Sequence, residues 1–260
     1  MTTNTTERAR QPYSRWNLAE LIEAQTRILI AIMLRDVRTR FVGNHFGFVL
    51  SIGWPLSHVL LLLIINVALG RLAPYGDSAA LWFATGVIPF IAFSYMARFI
   101  TMGIVMNKQM LVFPRIKITD ILFARAIVEV LSCGIVIIIL MLIFWGWGID
   151  FMPIDPLQAF LGLGAMMLLG LGVGVVNAII AAAIPMWMTV FNIINVILWI
   201  VSGAYFVPSA LPAIVQYPLS FNPATHGIEW VRSAYYEGYG ENFLDKDYLL
   251  GFGLIFLFIG

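Results

Sequence analysis

The chain has 260 residues, 61% of them hydrophobic and 11% charged, with a formal net charge of +1 and a mean hydropathy of +0.91. That balance excludes an ordinary soluble domain and indicates an all-α integral membrane protein. A single cysteine, Cys133, excludes an intrachain disulfide and suits a small buried apolar role, and the three histidines, His45, His58 and His226, are too few and too dispersed to form a metal centre.

Residues 1–16 lack the apolar core of a secretory signal and are expected to be a flexible cytoplasmic tail. Residues 17–41 predict an amphipathic interfacial helix. Leu18, Leu21, Ile22, Ile28, Leu29, Ile32 and Met33 recur at helical spacing, against a polar stripe of Glu20, Glu23, Arg27, Arg35 and Arg38. Residues 48–260 read as a transmembrane domain. Runs of the roughly 20 residues needed to cross a bilayer as helix fall at 48–69, 79–106, 121–147, 156–184 and 185–206. A sixth at 248–260 looks incomplete, so a short C-terminal tail is expected beyond Gly260. Residues 107–120, "NKQMLVFPRIKITD", form a basic loop between the second and third spans. Residues 207–247 carry Pro208, Pro212, Pro218 and Pro223, too many for one continuous helix. They predict a broken, partly re-entrant segment.

Lys and Arg collect on cytoplasmic loops. Seven of the fifteen precede the first span (Arg8, Arg10, Arg15, Arg27, Arg35, Arg38 and Arg40), and the loop adds Lys108, Arg115 and Lys117. Asp150, Asp155, Glu229, Glu237, Glu241, Asp245 and Asp247 fall on the other side, with Trp82, Trp145 and Trp147 expected as an outer aromatic belt. The pattern gives six spans with both termini inside.

No Gly-rich loop ending in Gly-Lys-Ser/Thr is present, so the chain does not bind ATP in that way, and no Ser/His/Asp arrangement appears. Transport then draws on a separate ATPase subunit or on an ion gradient. Glu129 is the clear intramembrane carboxylate that a gradient-driven carrier would use. The basic loop is either a docking knob for a cytoplasmic ATPase, with Phe113 and Pro114 at its tip, or an ordinary positively charged inside loop. Arg98, Arg125 and Glu129 reach depths of very roughly 7–14 Å from the cytoplasmic ends of their spans. Arg125 and Glu129 are spaced i,i+4. These charges either pair internally to hold two spans together, or leave an arginine lining a substrate path near Tyr95. Gly162, Gly164, Gly170, Gly172 and Gly174 allow close helix packing in the fourth span. Tyr205, Trp230, Arg232, Tyr235, Tyr236 and Tyr239 form an outer cluster whose rings either stack on a passing substrate and gate the path, hinged at Gly238 and Gly240, or belong to an interface belt.

The stretches "MLRDVRTRF", "FGFVLSIGWPLSH", "NKQMLVFPRIKITDILFARAIVE", "SGAYFVPSALP" and "NPATHGIEWVRSAYYEGY" together resemble the ABC-2 type permeases that export capsular polysaccharide from Gram-negative bacteria, the KpsM group. The resemblance covers nearly the whole chain. It implies the ABC-2, or type V, exporter fold: a homodimer in the inner membrane, six spans per subunit, bound to two copies of an ABC ATPase that carry the ATP and Mg. It also implies a lipid-linked, usually acidic, polysaccharide as cargo, passed to a periplasmic co-polymerase or adaptor and an outer-membrane exporter. Membrane lipids surround the protein, and no nucleic acid is involved. By the same resemblance Lys108, Gln109, Phe113, Pro114, Arg115 and Lys117 form the ATPase coupling element. The uncharged turn "AAIPMWM" is not expected to form a second contact. Permeases for O-antigen or teichoic acid, and ion-coupled carriers, stay open as alternatives.

Overall fold

The computed structural model describes residues 17–39, 47–240 and 243–260, and the regular structure among them is helical. The expected tail of residues 1–16, Arg40 and Glu241 lie outside the described residues.

The first helix, α1 (Leu18–Thr39), starts where Asn17 Oδ1 accepts the Ala19 N–H at 2.8 Å and Glu20 reaches back to the Asn17 N–H at 3.2 Å. Ile28, Leu29, Ile32 and Met33 pack on Ile121 and Ala124. Leu18 and Ile22, on the same face nearer the helix start, and Ile30 and Leu34 beside it remain exposed. An apolar stripe partly packed on protein and partly open is suited to the membrane interface.

The following elements are α2 (Gly47–Ala68), α3 (Ala79–Thr101), the single-turn α4 (Gly103–Met106), a 3₁₀ turn at Lys108–Val112, α5 (Ile118–Gly146), α6 (Pro156–Ala183) and α7 (Trp187–Ile200). A 3₁₀ turn at Pro208–Ala210, the seven-residue α8 (Ala213–Leu219), α9 (Pro223–Tyr235) and α10 (Lys246–Ile259) complete the order. Their starts are set locally. Asp155 accepts the Gln158 N–H at 3.1 Å with Pro156 in the first turn, Asn222 caps α9 with Pro223 following it, and Asp245 accepts the Tyr248 N–H at 2.8 Å. Gly148 stops α5. At φ +69° it turns the chain so that the Ile149 N–H reaches the Phe144 carbonyl at 3.0 Å.

Among these, α3, α5 and α6 are long and apolar enough to cross a membrane, whereas Ile52–Ala68 and α7 are shorter apolar helices. The fifth predicted span, 185–206, is therefore corrected: its helix has 14 residues, about 21 Å at 1.5 Å per residue, and ends at Ile200.

The central helix is α6, which packs on α3, α9 and α10. Lipid is as apolar as a side chain, so close approach rather than water exclusion drives such contacts. A Cβ at Gly170 would meet the Phe93 carbonyl at 2.6 Å, and one at Gly174 would meet the Ile100 Cβ at 2.7 Å, so the Gly170–Gly174 step is the seat for α3. Gly162 faces α9 and Gly172 faces α10. Asn195 on α7 bonds Ser94 on α3 across a buried seam at 2.5 Å.

Candidate functional site

The loop between α4 and α5 is built from successive tight turns, with N–H groups of Met110, Phe113 and Ile116 bonding the carbonyls three residues earlier. Val112 and Phe113 stand 81% and 61% exposed at its tip, and Lys108, Gln109, Pro114, Arg115 and Lys117 are exposed beside them. An apolar tip ringed by cations is a different object from a merely basic loop.

Three polar contacts tie this region to α1. Gln25 donates to Asp120 at 2.6 Å, Arg35 donates to Asn107 at 3.1 Å, and Arg125 pairs with Asp36 at 2.8 Å with both side chains 3% exposed. Arg125 also donates to the Phe99 carbonyl at 2.6 Å, in the last turn of α3. One guanidinium thus joins α1, α3 and α5. Among the described residues Arg125 thus pairs with Asp36 and the Phe99 carbonyl rather than with Glu129, its i,i+4 neighbour. Asp36 was not foreseen as a site residue. Its signal was present: it lies four residues after Ile32, an acid on the apolar face of α1. Of the other expected interfacial arginines, Arg27 pairs with Glu23 on the surface and Arg38 is exposed.

Glu129 is buried and lines a cavity of about 30 Å³ with Tyr95 and Ser132, room for about one water. Arg98, half-buried on α3, forms no ion pair among the described residues. Its guanidinium carbon sits 5.3 Å from the centroid of the Tyr95 ring, and its Nε is buried without a hydrogen-bond partner. Arg98 and Glu129 therefore share Tyr95 as a neighbour, while Arg125 is held by Asp36 and the Phe99 carbonyl.

At the far end of the helices, Arg232 is fully buried. It donates to the carbonyls of Gly203, Ala204 and Phe206 at 2.7, 2.7 and 3.0 Å, and lies 4.0 Å over the Trp82 ring. Glu229 sits 3.6 Å from it and accepts the Tyr239 hydroxyl at 2.8 Å. Burial outweighs the pull of Arg232 and pushes the Glu229 carboxyl up to about 7. Gly86 allows this close approach, since a Cβ there would fall 2.4 Å from the Ala204 carbonyl.

This cluster corrects several expectations. Trp82 is not an outer-belt residue but lies beneath Arg232, while Trp145 and Trp147 are exposed. Trp230, Arg232, Tyr236 and Tyr239 are buried within the chain, so none of them faces a passing sugar in this structure. Trp230 instead donates to Gln158 at 2.7 Å, and Tyr239 is 1% exposed. Tyr235 and Tyr205 are half-buried. Tyr235 lines a cavity of about 1010 Å³ whose wall includes Leu63, Val67, Asp77, Trp147 and Asp150. Gly238 and Gly240 both adopt positive φ, +69° and +72°, in the turn that follows α9.

Residues 28–236 match the ABC-2 type transporter family. The chain is 31% identical over 239 residues to the polysialic acid transport protein KpsM of Escherichia coli, covering 92% of each chain. It is 25% identical over 247 residues to the capsule polysaccharide export inner-membrane protein CtrC of Neisseria meningitidis, covering 93% of this chain and 91% of that one. The similarly named BexB of Haemophilus influenzae is 24% identical over 222 residues, covering 82% of this chain and 80% of BexB.

Proposed function

This chain belongs to the ABC-2 type transporter family, and from that premise we propose that it is the permease subunit of an ATP-driven exporter of capsular polysaccharide in a bacterial inner membrane. The carrying observation is the exposed Val112–Phe113 tip with its basic flanks, on a chain similar along nine-tenths of its length to proteins named for that transport. Two copies of a separate ABC ATPase supply ATP and Mg, each receiving one tip in a groove. Phe113 acts as the aromatic anchor, with Lys108, Arg115 and Lys117 steering the approach.

A push on the tip has a direct route into the membrane. Asn107, Asp120 and Arg125 attach the loop and the start of α5 to α1, and Arg125 holds the end of α3, so these parts move together. In this reading α2, α3, α5, α6, α7 and α10 are the six spans, both termini are cytoplasmic, and the segment from Val207 to Asp247 is a re-entrant outer gate. A second copy of the chain completes a passage wide enough for a polymer. The cargo is a lipid-linked, acidic polysaccharide, handed to a periplasmic adaptor and an outer-membrane exporter.

Cells deleted for this permease are expected to retain lipid-linked polysaccharide inside the inner membrane and to regain it at the surface when the chain is restored. Surface polysaccharide that persists after the deletion contradicts the proposal, and restoration of O-antigen alone redirects it to a different glycan.

A further inference from the structure

Of the two intramembrane arginines on α3 and α5, the structure separates one that is committed from one that is available. Arg125 spends its guanidinium on Asp36 and the Phe99 carbonyl. Arg98 has no ion pair among the described residues, and its Nε is buried without a hydrogen-bond partner. A cation held within about one turn of the inner end of a spanning helix is costly to keep without an anion. An arginine of this reach could relieve that cost by snorkelling to the aqueous interface. Here it lies instead over the Tyr95 ring, with its guanidinium carbon 5.3 Å from the centroid.

The rings that continue from it have polar edges. The Tyr95 hydroxyl is 3.4 Å from His58 Nδ1, and His58 stacks on Trp199 with centroids 6.0 Å apart and 13° between planes. Trp199 Nε1 then donates to the Tyr205 hydroxyl at 3.1 Å. Arg98, Tyr95, His58, Trp199 and Tyr205 therefore form one ladder along the seam between α2, α3 and α7, from the inner end of α3 to the segment just past α7. A planar guanidinium pairs two oxygens of one oxyanion at once, and flat rings with hydrogen-bonding edges fit sugar faces.

We propose that Arg98, seated on Tyr95 at the inner end of this ladder, binds the anionic group of the polymer entering the seam. This rests on the proposed export function and deepens it. The shared chemistry is an oxyanion, which the cargo carries either as a phosphodiester at its lipid end or as a sugar carboxylate.

The test uses the full chain in phosphatidylcholine nanodiscs with two probes: nitroxide-labelled phosphatidylglycerol for the phosphodiester, and oligogalacturonate for the carboxylate. Arg98→Gln is expected to weaken one of them roughly tenfold or more, the usual scale for a lost charge-assisted bond. Arg98→Lys, which keeps the charge but not the fork, falls between. Arg71→Gln, beyond the outer end of α2, leaves both unchanged. Loss confined to phosphatidylglycerol assigns the lipid end, and loss confined to oligogalacturonate assigns the sugar acid. Wild-type affinity for both probes in folded Arg98→Gln overturns the proposal. Should Arg98→Gln fail to assemble, Arg98→Lys decides: severalfold weaker binding supports the site and unchanged binding overturns it. Export that needs the ATPase but ignores Arg98→Gln sinks only the anion site, whereas export without the ATPase sinks the functional reading itself.

Discussion

Asp36 and Arg125 are each 3% exposed and 2.8 Å apart, so removing either one takes a close buried partner from the other. Asp36→Leu is expected to cost about 3–5 kcal/mol, the range for breaking a buried pair from one side. Arg125→Leu costs the same for the broken pair, plus about 1 kcal/mol for the Phe99 carbonyl that loses this donor. The double replacement removes both charges together and is expected to lose only about 1–2 kcal/mol, since apolar substitutes for a buried pair are often near neutral. At about 2–4 °C per kcal/mol for a chain of this size, Asp36→Leu melts roughly 6–20 °C lower and Arg125→Leu roughly 8–24 °C lower, and the double variant recovers most of that loss. The assay is thermal unfolding of the purified permease in nanodiscs, followed by tryptophan fluorescence. If the double variant loses the sum of the two single losses to within about 0.5 kcal/mol, the pair is not coupled and the hub joining α1, α3 and α5 is mistaken.

Replacing Phe113 by Ala and Arg115 by Glu together is expected to leave folding unchanged, because both side chains are exposed, while ATPase co-purification and export fall at least tenfold. Gly86→Ala places a Cβ 2.4 Å from the Ala204 carbonyl and 2.6 Å from Arg232, and is expected to cost about 1–3 kcal/mol in thermal stability. Glu229 is raised to about 7 by burial, so the stability it contributes is present below its unfolded value of 4.5 and declines as pH rises through 7. Melting curves between pH 5 and 8 are expected to flatten in Glu229→Gln, and an unchanged slope refutes that assignment.

Apolar run length foretold α3, α5 and α6 because a long helix in lipid needs little beyond an uninterrupted greasy sequence. The same signal overran the end of α7. Val201–Phe206 carries no charge or proline to mark a stop, but the carbonyls of Gly203, Ala204 and Phe206 are taken by Arg232, and Gly203 adopts φ +79°. A break held by a residue more than two dozen positions away leaves little local trace beyond that glycine. Trp82 misled for a related reason: an aromatic near a helix end reads as a belt residue, and only the fold shows a guanidinium lying over it. Arg125 and Glu129 suggested a pair by i,i+4 spacing alone, which carries no information about a competing acid on α1. The exposed tip at Phe113 was legible, since Pro114 and flanking cations in a short polar insert between apolar runs leave few other placements.

The central claim is tested most directly by polymer flux in proteoliposomes that contain this chain, its ATPase and lipid-linked capsular polysaccharide added on the ATPase side. The added polymer is expected to become protected from an external glycanase only when ATP and Mg are supplied, and to stay exposed when the ATPase is left out. Flux driven by a sodium or proton gradient without ATP would contradict the account.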